Sequence, residues 1–321
     1  MRRRAAPIAA LLVSMLAFPA GAFDLQGHRG ARGLRPENTL AAFSYALATG
    51  VTTLETDLAV TRDGVLVISH DPYLNPVLVR TPDGRWLAGK GPAIHSLTLE
   101  ELKRYDIGRL DPASAYARQF PDQHAEDGER FPTLAQVFAL VKSGSRPARL
   151  NIETKITPDN AGETVDAETF ARLTVEAIRS AGFAGEATIQ SFYWRTLVAA
   201  KKLAPEIETV CLTIETEKDD TVQRRANSPS PWLAGFDLRA YDGSLSGAAK
   251  AAGCSTWSPF WRNVTAANIA ESHALELKVL PWTVNDPRDM ARLMEMNVDG
   301  LITDYPDRAR RVMAEKGIPL P

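Results

Sequence analysis

From position 23 onward the chain alternates short apolar runs with longer amphipathic stretches. The runs fall at 24–28, at 53–58 with a continuation at 65–69, and at 149–153, 187–190, 209–214, 254–258, 278–284 and 300–303. Most leave room for a helix before the next run, which is the rhythm of βα units on a parallel sheet. Eight such runs predict an α/β protein whose strands close into a (β/α)8 TIM barrel. The stretches 39–48, 167–181, 194–203, 245–252, 266–273, 287–296 and 306–316 place apolar residues at i, i+3 and i+4, so they predict an outer ring of helices. Asn38 ahead of the first helix, Pro287 and Pro306 near first-turn positions, and Gly50, Gly182 and Gly253 past helix ends supply start and stop signals.

One segment breaks the rhythm. Residues 72–132 hold seven prolines, Asp-Gly and Gly-Pro turns, charged runs and a single short helical candidate at 99–105. This predicts an insertion after the second strand, on the face where barrels carry their sites. It acts either as a cap over substrate or as a surface excursion without a role. Length alone allows one domain or two, but the continuous rhythm predicts one barrel domain over 23–321.

Composition narrows the classes. With 45% hydrophobic and 24% charged residues, the chain has the material for a core, which excludes disordered, collagen-like and multi-span membrane proteins. A net charge of −2 gives no overall field that would hold nucleic acid or an anionic membrane, so any anionic substrate must be met locally. At the N-terminus Arg2, Arg3 and Arg4 precede an apolar run and the small-residue stretch ending at Ala22. This predicts a cleaved signal peptide over 1–22 and export, to the periplasm or beyond, with no stable membrane insertion afterwards. The apolar run is shorter than the roughly 20 residues a membrane span needs. Cys211 and Cys254 fall on two predicted neighbouring strands, where they form one bridge or remain buried thiols.

The chemistry gathers at strand ends. The first strand ends in Gly27-His28-Arg29-Gly30. On the second, Glu55 and Asp57 are two apart and therefore face the same side. Carboxylates that close repel unless one is protonated or a cation lies between them, and an oxygen-liganded divalent ion is the natural counter-charge. A second histidine, His70, follows the continuation strand. On the third barrel strand Asn151, Glu153 and Lys155 share a face by the same period, so Glu153 completes an acidic trio with Lys155 beside it. Two histidines near neutral pKa, three carboxylates, an arginine and a lysine resemble a kit for phosphoryl transfer. Cations offset the charge of a phosphodiester, one imidazole takes a proton from the attacking oxygen, and the other protonates the leaving oxygen.

The string His28-Arg29-Gly30, Pro36-Glu37-Asn38-Thr39, Glu55-x-Asp57, Thr61-x-Asp63-Gly64 and His70-Asp71 resembles the signature of the glycerophosphodiester phosphodiesterase family. Glu153-x-Lys155, Ser191-Phe192, Trp282-Thr283-Val284-Asn285 and the closing Asp299-Gly300-x-x-Thr303-Asp304-x-Pro306 extend the likeness over nearly the whole chain after position 22. The resemblance implies a (β/α)8 barrel with an insertion after its second strand. It implies His28 and His70 as the acid/base pair and Glu55, Asp57 and Glu153 as ligands of one Mg²⁺ or Ca²⁺. Arg29 and Lys155 become phosphate contacts, and Asn38 supports the site or caps the first helix. Phe192 and Trp282 become candidate contacts for the glycerol moiety or the alcohol, with Trp257, Phe260 and Trp261 of similar standing. In that family a glycerol hydroxyl is thought to attack phosphorus, leaving a cyclic phosphate that water opens.

The expected reaction is therefore metal-dependent hydrolysis of a small glycerophosphodiester to glycerol 3-phosphate and an alcohol. Two alternatives stay open on the same barrel: a phosphodiesterase for lysophospholipids or sphingolipids, which would need an apolar channel, and a non-catalytic envelope-binding protein. His95, His124 and His273 lack neighbours at ligand or catalytic spacing and read as surface residues.

Overall fold

A computed structural model describes residues 22–160 and 162–321; the expected signal peptide over 1–22 lies outside them except for Ala22. In chain order the elements are β1 (Asp24–Gly27), α1 (Leu40–Thr49), β2 (Thr53–Val60), β3 (Leu66–Ile68), α2 (Leu99–Leu102), α3 (Leu134–Ser143), β4 (Arg149–Thr154), α4 (Ala167–Ala181) and β5 (Ala187–Ser191). They continue with α5 (Trp194–Leu203), β6 (Glu208–Thr213), α6 (Leu245–Ala251), β7 (Thr256–Pro259), α7 (Ala266–Ala274), β8 (Lys278–Val279), α8 (Pro287–Glu295), β9 (Gly300–Thr303) and α9 (Pro306–Glu315).

Eight strands run parallel in the order β8-β7-β6-β5-β4-β2-β1-β9, with β3 paired antiparallel to the outer end of β2. Backbone bonds from Asp299 to Val279, from Ile302 to Pro281 and from Val284 to Ile302 join the last strand to the segment after β8 and close the ring. The protein is a TIM barrel. The period of two explains how one strand serves both core and site. In β2, Leu54, Leu58 and Val60 pack into the core beneath the helices, whereas Glu55 and Asp57 lie on the opposite side, toward the barrel axis. Around it the helices bury one stripe each; α4 buries Phe170, Ala171, Thr174, Val175 and Ile178, is capped by Asp166, and stops at Gly182 with φ 71°.

Three sequence expectations need correction. Helix α3 was not anticipated, although Thr133 and Gln136 form a reciprocal capping box ahead of it; the proline-rich segment before it masks the onset. The predicted strand 278–284 is regular only over Lys278–Val279, because Pro281 cannot donate to a ladder. Asn38 is not the cap of α1; Thr39 accepts the bond from the Ala42 amide.

The insertion is not a bare excursion. Its ends meet where the Ile68 amide donates to the Pro132 carbonyl (2.8 Å). It has a small core of Leu74, Val79, Ile94, Leu102, Ile107 and Phe131 resting on Ala59 and Val67. Only Leu99–Leu102 of its expected helix is α-helical. A second contact, Leu110 and Phe120 against Tyr305, seats it on the loop after β9.

Cys211 in β6 and Cys254 just before β7 are joined in a disulfide, with Cα atoms 6.0 Å apart and a separation of 43 positions in sequence. Closing a loop of that length removes denatured-state entropy worth about 4 kcal/mol in the chain-entropy limit. The Cys211→Ala/Cys254→Ala variant should therefore unfold at lower urea, with a loss of roughly 2–4 kcal/mol. An unchanged urea midpoint would show that the bridge adds nothing to equilibrium stability.

Candidate active site

The site is built on turns that the backbone must hold unusually. Arg29 has φ 49° and Asn38 φ 57°, both in the left-handed region that non-glycine residues rarely adopt. Gly30 follows with φ 85°, and a Cβ there would lie 2.7 Å from the backbone of Ala42, so only glycine lets α1 pack this closely. This turn presents the Arg29 amide to Glu55 Oε2 (2.8 Å) while its guanidinium reaches Glu37 Oε1 (2.5 Å) and lies with Nε 3.1 Å from Asp57. Asn38 donates its Nδ2 to Asp57 Oδ2 (2.9 Å).

At the mouth of the barrel Glu55, Asp57 and Glu153 are all buried, and one oxygen of each lies within 4.8 Å of the others. Strand register causes this, because Asp57 and Glu153 are direct partners across β2 and β4. Lys155 binds Glu153 Oε1 (2.6 Å) and lies 3.7 Å from Asp57 Oδ1. Gln190 on β5 donates to Glu55 Oε1 (2.8 Å). Burial raises Glu55 well above the usual carboxylate range, and the charges of Asp57 and Glu153 add to it. Burial also pushes Glu153 up to about 7 against the pull of Lys155. For Asp57 burial acts the same way, but Arg29 and Lys155 outweigh it and hold the group low. Asp57 Oδ1 is buried without a hydrogen-bond donor. An unsatisfied carboxylate oxygen inside a trio that repels itself is what a hard divalent cation would satisfy, so the donor set fits such an ion.

The two histidines are each oriented by an aspartate. His28 Nδ1 is 2.7 Å from Asp304 Oδ1, and its Nε2 lies 4.0 Å from Glu55. His70 Nδ1 is 3.1 Å from Asp71 Oδ1. Arg32 and His28 overcome the burial penalty on Asp304 and keep it ionised. A carboxylate accepts only from a protonated nitrogen, so Nδ1 of His28 carries the hydrogen and Nε2 is left with its lone pair. Burial pushes His28 down to about 4, assisted by Arg32 and opposed by Asp304. Burial together with Arg29 and Lys155 also lowers His70. Both imidazoles are thus neutral near pH 7 and able to accept a proton.

His28, Arg29, Glu55, His70, Glu153, Lys155, Phe192 and Trp282 line one cavity of about 210 Å³. Asp57 and Asn38 sit behind this lining and hold it from the rear. Phe192 and Trp282 meet edge to face with ring centres 5.2 Å apart, and Phe260 abuts Trp282 at 5.7 Å with Trp261 beyond it. Trp257 is instead a core residue, 1% exposed, with its indole N–H donated to Thr213. Sequence reasoning gave no role to Arg32, Glu37, Gln190, Asn285 or Asp304. Arg32 grips both oxygens of Asp304 (2.8 and 3.0 Å), Asn285 donates to Asp304 (2.7 Å), and Glu37 holds Arg29. Glu37, Asn285 and Asp304 stood in the motif strings; Arg32 and Gln190 had no such marker.

Cation binding by the trio would be pH-dependent. Below about pH 7 a proton on Glu153 would compete with the ion, as would one on the raised Glu55, so affinity for Mg²⁺ or Ca²⁺ should rise with pH through that region. Calorimetric titration at about pH 6 and about pH 8 checks this, with Asp57→Asn expected to lose binding at both. Equal affinity at the two pH values would contradict the competition.

The family model for glycerophosphoryl diester phosphodiesterases matches residues 28–308. A glycerophosphodiester phosphodiesterase of Caldanaerobacter subterraneus subsp. tengcongensis is 29% identical over 290 residues, covering 90% of this chain and 97% of that one. Another from Bacillus altitudinis is 28% identical, with 90% and 97% coverage. A crystal structure from Silicibacter pomeroyi DSS-3, provisionally named for the same family, is 33% identical with a TM-score of 0.82, covering 92% of this chain and 95% of that one. An Oleispira antarctica phosphodiesterase in complex with the product sn-glycerol-3-phosphate shares the fold at 23% identity and a TM-score of 0.64, with 91% and 96% coverage.

Proposed function

The chain belongs to the glycerophosphoryl diester phosphodiesterase family and is a phosphoric diester hydrolase, and from that premise we propose that it splits small glycerophosphodiesters into glycerol 3-phosphate and an alcohol by histidine acid–base catalysis. The observation that carries this reading is the meeting, at one cavity, of a histidine locked by an aspartate, the carboxylates Glu55 and Glu153 with Asp57 behind them, and the cations Arg29 and Lys155.

Each residue has a task in that reaction. Arg29 and Lys155 offset the charge of the bound phosphodiester. One imidazole takes the proton of the glycerol hydroxyl beside the phosphate as that oxygen bonds to phosphorus; the bond to the alcohol breaks, and the other imidazole gives its proton to the departing oxygen. A cyclic phosphate remains, and water opens it with the two roles exchanged. Glu55, Asp57 and Glu153 would hold one Mg²⁺ or Ca²⁺, whose charge stabilises the anionic transition state. Both histidines are kept neutral partly by cations, Arg32 for His28 and Arg29 with Lys155 for His70. An arriving phosphodiester anion opposes those cations, raises the proton affinity of the imidazoles and lets one of them start protonated. Phe192 and Trp282 offer an apolar wall to the glycerol carbons or the alcohol.

The Cys211–Cys254 disulfide supports a place in an oxidising compartment such as the periplasm, in keeping with the signal expected at the N-terminus.

The test is release of glycerol 3-phosphate from glycerophosphocholine by the purified protein, with chelator and with Mg²⁺ or Ca²⁺ restored. His28→Ala and His70→Ala should each lower kcat by roughly 10²–10⁴-fold, the usual contribution of a positioned acid or base. Activity that survives both substitutions would sink the mechanism. Absence of release from any glycerophosphodiester, with lysophospholipids cleaved instead, would sink the substrate assignment.

A further inference from the structure

Tyr116 belongs to the insertion, 79 residues from Glu37 in sequence, yet its hydroxyl is in the site's innermost polar network. It donates to Glu37 Oε2 in a short hydrogen bond and accepts from Arg32 Nη1 (3.0 Å). Two arms leave this one oxygen. Through Glu37 the first reaches the guanidinium of Arg29, whose amide in turn holds Glu55. Through Arg32 the second reaches both oxygens of Asp304 and then Nδ1 of His28. Packing fixes the hydroxyl in place: the Tyr116 ring meets Phe120 edge to face at 5.2 Å, the Arg32 guanidinium lies 4.8 Å over Phe120, and Phe120 packs with Leu110 and Tyr305.

We propose that Tyr116 is a positioning residue of this hydrolase, its hydroxyl joining the arm that aims Arg29 to the arm that aims His28, so that the docked insertion sets both at once. The inference rests on the hydrolytic reading above. Without the hydroxyl, Glu37 loses a donor and Arg32 an acceptor in a region that is largely closed to water. Each arm then gains freedom separately, and a displacement of about 1 Å at a reacting group can cost on the order of 10²-fold in rate. The hydroxyl of Tyr116 hydrogen-bonds Glu37 and Arg32, and its effect passes through them.

The experiment is a cycle of Tyr116→Phe, Glu37→Gln and the double variant, with kcat and KM for glycerophosphocholine and a melting curve for each. Tyr116→Phe keeps the ring and its contact with Phe120, so melting is expected to stay near that of the wild type. Its kcat should fall on the order of 10-fold with KM within about twofold, because aim is lost while ground-state binding is kept. The double variant should be slower than Glu37→Gln, because the Arg32 arm is cut as well, but by a smaller factor than Tyr116→Phe costs in the wild type, since the Glu37 arm is already cut. A Tyr116→Phe kcat within about twofold of wild type overturns the proposal, as do losses that multiply in the double variant. A loss that follows the fraction of folded protein would also overturn it, in favour of plain packing. A wild-type protein without activity would instead refute the hydrolytic reading, so the two failures are told apart.

Discussion

Three carboxylates that share a buried space of a few ångströms are the constraint around which this molecule is arranged. Ionised and unpaired, Glu55, Asp57 and Glu153 would repel one another in a medium that screens weakly. The chain answers with groups drawn from several turns of the barrel: the Arg29 amide and guanidinium from the first, the Asn38 amide from the same loop, Lys155 from the end of β4, and Gln190 from β5. No single element contains the solution. The loops are therefore held by the charges they neutralise as much as by their own hydrogen bonds.

Around that centre the supports are layered. Asp304 orients His28 and is itself held by Arg32 and Asn285; Glu37 holds Arg29 and is held by Tyr116. Beneath the trio the barrel axis stays polar, with Asn151 donating to Gln26 and Gln190 while Thr188 donates to Asn151. Gln190 thus joins the amide layer to Glu55. Such a floor satisfies the amides that an apolar layer would leave unpaired, and it holds the acidic side chains from below.

The sequence made part of this legible, and the reason differs from one residue to another. The period of two in a strand placed Glu55 with Asp57 and Glu153 with Lys155, because that spacing is set by the backbone alone. The eight apolar runs announced the barrel for the same reason. Helix α3 was hidden behind the proline-rich insertion, although Thr133 and Gln136 carried the signal of its start. Asn38 looked like a cap because it stands before a helix, yet the residue after it does that work and Asn38 turns to Asp57. Arg32, Gln190 and Tyr116 had no local signature at all; what they touch depends on how distant loops come to rest on one another.

The bond between His28 and Asp304 joins residues 276 apart, immediately past the first and last strands of the ring. During synthesis, the imidazole near one end must wait for a carboxylate translated near the other. Until the ninth strand seats against the first, Asp304 is not in place to fix the tautomer of the histidine, and a partly made chain carries the acidic trio without that aligned imidazole. A chain that stops short of β9 therefore lacks the carboxylate that holds this imidazole.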